Sequence, residues 1–157
     1  MADPKNKNLL GQTAYSLILQ RLPTVEYFCQ NIGLPSVSLG SVNVTTPVID
    51  YPLPGEKLTF SPLNVTFRVD EDMKNFIEIF NWMVGLGSPE DPKQYRTYKE
   101  NSINKRNLSD GTLKILSNKH NPNITVKFKE MFPENISELQ FSTSASDIQY
   151  LEATASF

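Results

Sequence analysis

Between Leu63 and Gly87 the apolar residues of this chain change their repeat once, and that change constrains the fold more than any other feature. Leu63, Val65, Phe67 and Val69 alternate with Asn64, Thr66, Arg68 and Asp70, the period that turns one face of a strand toward a core. From Met73 onward the spacing is helical: Met73, Phe76, Ile77, Phe80, Met83 and Val84 fall on one stripe. Asp70 stands where an N-cap is expected, and Glu71 and Asp72 fall in a first turn whose dipole favours negative charge. Gly85 or Gly87 can end the helix. The pattern predicts a helix over residues 71–85, and no other stretch reads as helical so well. Ile79 and Trp82 lie off the stripe as a second apolar ridge; either the helix is deeply buried or another subunit covers that ridge.

The flanking segments read as strands and turns. Thr24–Gln30 is expected to be a first strand, ended by the turn signal Gly33-Leu34-Pro35, and Val37–Thr46 a second extended run. Residues 47–57 combine Pro47, Pro52, Pro54 and Gly55 with Ile49, Tyr51 and Leu53. That much proline excludes a central strand, so the segment is expected to be a projecting loop or an edge hairpin. Residues 88–110 read as a long polar loop. Strands resume at Thr112–Ser117 and Ile124–Lys129, joined through His120-Asn121-Pro122-Asn123, and Leu139–Thr143 and Ile148–Phe157 make a final pair. One helix among seven or eight strands predicts a mainly β fold, an antiparallel β-sandwich or barrel flanked by one α-helix.

A length of 157 residues suits one domain with a real core, and 39% hydrophobic residues suits solvated faces or surfaces completed by partner subunits. The domain is expected over residues 24–157, preceded by an arm at residues 1–23 that packs against something, a neighbouring subunit included. Within that arm Gln12, Thr13 and Ser16 interrupt Leu9–Leu19, leaving it too polar for a signal segment and too short for a membrane helix. Sequons begin at Asn43, Asn64, Asn107, Asn123 and Asn135; without a signal peptide they are expected to reflect composition. A net charge of −2 argues against a dedicated nucleic-acid binder, although Lys105-Arg106 leaves room for a local basic patch.

Little chemistry is visible. A single cysteine, Cys29, excludes an internal disulfide and multi-cysteine metal sites, and is expected to be a packed, inert thiol. The one histidine, His120, sits in a turn, so any Ser-His-Asp arrangement would have to use it. Asp70-Glu71-Asp72 lacks the ligand spacing and glycine of a calcium loop, and Gly85-x-Gly87 follows a helix instead of opening one. No catalytic, cofactor or metal residues are therefore assigned. Assembly is favoured over catalysis, with Ile49, Tyr51, Leu53, Ile79 and Trp82 as the expected intersubunit contacts. A carbohydrate-binding β-sandwich using Trp82 and the tyrosines is the competing reading from another class.

Phe67-Arg68-Val69-Asp70-Glu71-Asp72-Met73 running into Phe76–Met83 resembles the tail tube superfamily of contractile-tailed bacteriophages. So do Ile32–Val37 followed by Pro52–Gly55, and the closing runs Met131–Phe141 and Asp147–Tyr150, in the same order. Within the superfamily the likeness is to the tail completion and sheath stabilizer proteins, or tail terminators, of T-even-like phages. The resemblance implies a β-sandwich-like barrel with one helix, whose sheets join between subunits around a channel. It further implies a homo-hexameric ring in the virion, formed in the host cytoplasm, that completes the tube and stabilises the sheath at the head-proximal end. Tube, sheath and neck proteins would be its partners, with DNA passing through the lumen. The alternative within the superfamily is the tube subunit itself, stacked in hexameric rings.

Overall fold

The computed structural model describes residues 7–87, 91–93, 95–96, 107–143 and 149–157. In chain order these residues form β1 (Tyr15–Leu19), α1 (Pro23–Tyr27), β2 (Cys29–Gly33), β3 (Val37–Thr45), β4 (Asp50–Phe60), β5 (Asn64–Arg68), α2 (Lys74–Gly87), β6 (Ser109–Leu116), β7 (Pro122–Met131), β8 (Asn135–Ile136) and β9 (Glu152–Ser156). One sheet has the order β1-β6-β7, a second β2-β5-β9-β8, and β3 and β4 make a separate two-stranded ribbon. Every ladder is antiparallel. The mainly β class follows from the alternating segments of the sequence.

The core forms where the two larger sheets and α2 meet. Leu17 and Leu19 of β1, Val65 and Phe67 of β5, Ala153 and Ala155 of β9, and Ile79 and Trp82 of α2 are buried together. In β5 the alternation is realised as the sequence predicts, with Val65 and Phe67 fully buried. On the other face of that sheet Thr66 and Thr154 share a hydroxyl hydrogen bond of 3.0 Å. The last strand likewise turns Ala153 and Ala155 inward, with Leu151 and Phe157 half-buried beside them.

Several expectations are corrected. The helix is turned from the expected face: Asn75, Ile79, Trp82 and Gly85 are buried, Phe76 and Met83 of the expected stripe are half-buried against the core, and Ile77 and Phe80 are 45% and 52% exposed. Rows Met73/Ile77/Phe80/Val84 and Asn75/Ile79/Trp82/Leu86 have the same spacing and lie about 160° apart around the helix. An apolar period alone does not say which row turns inward. Indole chemistry settles it, because Trp82 donates its ring N–H to the Asn107 carbonyl at 2.8 Å while the Arg21 guanidinium sits 5.0 Å from the ring centroid. The helix also begins later than predicted, and Asp70 is not its cap. Met73, in the left-handed region at φ 55°, precedes Lys74, and its carbonyl accepts the first helical bond, from Ile77 N–H. Asn75 ties the entry down: its amide donates to Arg68 O at 2.7 Å, and its carbonyl accepts from Phe76 N–H at 2.8 Å. One carboxylate oxygen of Asp70 is left buried without a partner.

The expected strand at Thr24–Gln30 is instead α1 followed by β2. Pro23 occupies the first turn of a helix, where its missing N–H is harmless, and the Glu26 carboxylate accepts Leu19 N–H at 3.1 Å. The proposed arm is shorter than residues 1–23, since β1 belongs to the three-stranded sheet and buries Leu17 and Leu19 within the chain. Leu139–Thr143 is not a strand; β9 pairs instead with the two-residue β8, and Phe141 is 73% exposed. Most of the polar stretch 88–110 lies outside the described residues, and its last two positions already belong to β6.

Candidate assembly interface

The ribbon of β3 and β4 is where the sequence placed its apolar, proline-rich segment. Ser36 and Ser61 close its base through a backbone bond of 3.0 Å and a bond of 2.8 Å from Ser36 N–H to the Ser61 hydroxyl. At the tip Thr46 and Ile49 bond each other through the backbone and the threonine hydroxyl. Val37 faces Phe60, Leu39 faces Leu58, Val42 faces Leu53 and Val44 faces Tyr51. Between the first two pairs and the last two, Gly40 lies opposite a bulge at Gly55, and the strands approach so closely that a Cβ on Gly55 would stand 2.5 Å from the Gly40 oxygen. Since alternate residues of a strand face opposite ways, Val37 and Leu39 point to one side and Val42 and Val44 to the other. Each face of the ribbon thus carries an apolar half, near the base on one side and near the tip on the other, and the described residues leave these side chains largely exposed.

Among the expected contacts, Ile49, Tyr51 and Leu53 lie on this ribbon, 67%, 45% and 46% exposed. Val37, Leu39, Val42, Leu58 and Phe60 join them, each more than half exposed. Alternation in Val37–Thr45 was the signal that could have added the β3 residues to the expectation. Ile79 and Trp82 are corrected: at 0% and 2% exposure they belong to the chain's own core and are not available to a neighbouring subunit. The same burial removes Trp82 as a sugar-stacking platform. The apolar residues that α2 leaves in solvent are Ile77 and Phe80.

A second feature is a groove of about 670 Å³ between β1 and β2, lined by Tyr15, Ser16, Leu17, Glu26, Cys29 and Gln30 among others. The Tyr15 hydroxyl crosses it to donate to Gln30 O at 2.8 Å. Burial pushes the Cys29 thiol above the usual thiol range, against hydrogen bonds with Tyr15 and the Asn31 carbonyl that pull it down. A thiol held neutral in this way is a weak nucleophile. Burial likewise raises the Tyr15 phenol, with Cys29 adding to the shift. His120 is exposed in the β6–β7 turn at φ 59°. Asp72 is held by Lys74 at 2.6 Å, a bond that lowers the carboxyl from its usual range. Among the described residues no group of three or more His, Cys, Asp or Glu side chains is placed to hold a metal ion. None of the described helices is long and apolar enough to cross a membrane.

A mainly β fold with two helices and a long exposed ribbon matches known proteins. Residues 4–157 match the family described as Phage tail tube protein. The chain belongs to that family. Over 103 residues it is 31% identical to the tail tube terminator protein of Enterobacteria phage T4, covering 65% of this chain and 54% of the relative. The match therefore spans about half the length of that curated relative. Two solved structures share the fold of this tail tube family member. The tube-terminating cap of the anti-feeding prophage is similar at a TM-score of 0.56 and 10% identity, over 99% of this chain and 91% of the other. The sheath/tube terminator of PVC, an extracellular contractile injection system in its extended state, is similar at a TM-score of 0.53 and 11% identity, over 96% and 93%.

Proposed function

We propose that this chain is a tail terminator: a structural protein that assembles into a homo-hexameric ring, completes the phage tail tube at its head-proximal end and stabilises the sheath. The observation that carries the reading is the ribbon, with apolar side chains on both faces that the described residues leave exposed, within a tail tube fold. Such a surface is unfavourable in water and is satisfied when a neighbouring copy covers it. Heterologous contacts repeated around an axis close a ring when the rotation fits. Tube, sheath and neck proteins are the partners of that ring, DNA passes through its lumen without sequence-specific contact, and assembly takes place in the host cytoplasm. A mildly acidic chain suits a channel that must not retain phosphates. The role is mechanical and involves no catalysis.

Likeness to the T4 terminator favours an end cap over the repeating tube subunit, the second reading that the family allows. Negative-stain imaging of the purified protein separates them. Discrete rings are expected, and long tubes would make the chain a tube subunit.

A further inference from the structure

The outer face of the β1-β6-β7 sheet carries a charge pattern that neither the core nor the ribbon explains. Residues directly opposite each other on antiparallel strands share a face, so the register sorts this sheet into two sides. Leu17 and its partner Leu113 are buried, and Phe128, opposite Gly111, packs on the core. The outer side holds Ser16, Lys114 and Thr125 in one row and Ile18, Thr112 and Lys127 in the next. Lys129 follows Lys127 on the same side, two residues along β7. Lys127 and Lys129 are exposed and Lys114 partly so. Among the described residues no carboxylate forms an ion pair with any of the three. Asp110, at the end of this face, turns its Oδ1 to the Glu130 N–H at 2.9 Å. At the opposite end the exposed Lys119, in the β6–β7 turn, extends the positive surface.

Edge protection accounts for only part of this. Lysines guard exposed sheet edges, and β7 is an edge strand, but Lys114 sits on the central strand β6, which has no free edge. Such positions lie about 7 Å apart along and across a sheet, so like charges gather here in a chain whose net charge is −2. The outer face of the β2-β5-β9-β8 sheet is built differently. Thr66 bonds Thr154 at 3.0 Å, Ser156 donates to Asn64 at 2.7 Å, and Arg68 pairs with Glu152 at 3.8 Å. Its polar groups are matched within the chain; the lysines of the first sheet are not.

We propose that the lysine face of β1-β6-β7 lies on the outside of the ring and docks a surface of the sheath rich in Asp and Glu. The docking rests on the ring reading and adds to it the surface used and the chemistry of the partner. Charge complementarity selects the occupant, because unpaired ammonium groups favour a partner that brings carboxylates. The lumen is the wrong place for this face. Lysines repeated around a channel would bind phosphates, release their counterions and hold the DNA that must pass.

The test uses the full chain and the purified sheath protein of the same virion. Imaging the unmodified protein comes first, because absence of rings would remove the ring reading and this docking with it. Lys114→Glu/Lys127→Glu reverses the face, and Lys74→Glu/Lys93→Glu makes the same change of net charge elsewhere on the chain. None of these side chains is in the core, so both variants are expected to keep their far-UV circular dichroism, thermal midpoint and rings. In co-sedimentation at low salt, the face variant is expected to capture roughly tenfold less sheath protein than unmodified rings, and the other variant an unchanged amount. Lys127→Gln, which removes one charge from an exposed position, is expected to give a smaller loss in the same direction. Capture by unmodified rings is expected to fall as salt is raised. Equal capture by the two double variants would overturn the docking, and loss of duplex DNA binding in the face variant alone would then put the lysines in the lumen. Loss of rings in the face variant alone would also overturn it, by placing the lysines between copies. Unmodified rings that capture no sheath protein would remove the sheath partnership and the docking together.

Discussion

Single residues at the entry to α2 show how one polar side chain decides a helix boundary. Asn75 is fully buried and bonds Arg68 O, Phe76 N–H and, at 3.4 Å, Asp70 N–H. Asp70, which by sequence looks like the cap, has an orphaned oxygen instead. Removing Asn75 leaves the part-buried Arg68 carbonyl and Phe76 N–H without this partner, at a cost of about 1–2 kcal/mol each, and empties the buried space of its side chain. Asn75→Ala is therefore expected to destabilise the subunit by about 2–4 kcal/mol in denaturant unfolding, whereas Asp70→Ala should change stability by less than about 0.5 kcal/mol. The opposite order would return the capping role to Asp70. The exposed Asp72–Lys74 pair, although short, is screened by solvent and contributes little beside these buried bonds.

At the scale of the element, α2 is apolar on two opposite sides, and only one of them holds the subunit together. Trp82 packs with Phe157 at 6.2 Å between ring centroids, fills the core and satisfies its N–H, while Phe80 points its ring to solvent. Trp82→Ala should lose about 3–5 kcal/mol, the range for a buried aromatic, and Phe80→Ala less than about 1 kcal/mol in the unassembled subunit. Equal losses would mean that both rows are covered within the chain. In sequence the row Met73, Ile77, Phe80 and Val84 is as hydrophobic as the buried one, which is why the helix was legible and its orientation was not. Pro23 acted similarly one element earlier. Val25, Tyr27 and Phe28 carry strand propensity, yet a proline-started turn of helix with Glu26 on Leu19 N–H makes the corner between β1 and β2.

For the whole molecule, the ribbon is an appendage on a self-sufficient sandwich. Its apolar side chains lie outside the buried cluster, and its base is closed by Ser36 and Ser61. Replacing residues 37–60 with a short Gly-Ser linker is therefore expected to leave a folded, cooperatively melting monomer that sediments as a single species and forms no ring. Ring formation by that variant would remove the ribbon from the interface, and loss of cooperative melting would show that it supports the core. By itself the sequence determined what depends on local chemistry: the β class from alternation in residues 63–69, α2 from its helical period, and an edge hairpin from prolines that a central strand rejects. It also placed Ile49, Tyr51 and Leu53 where their exposure suits contact between copies. Tertiary structure alone decided which row of α2 turns inward, that Ile79 and Trp82 serve the core, and that β1 joins the domain. Those outcomes depend on which surfaces meet across the chain, and residue types spaced along a sequence carry no information about the direction from which a partner surface arrives.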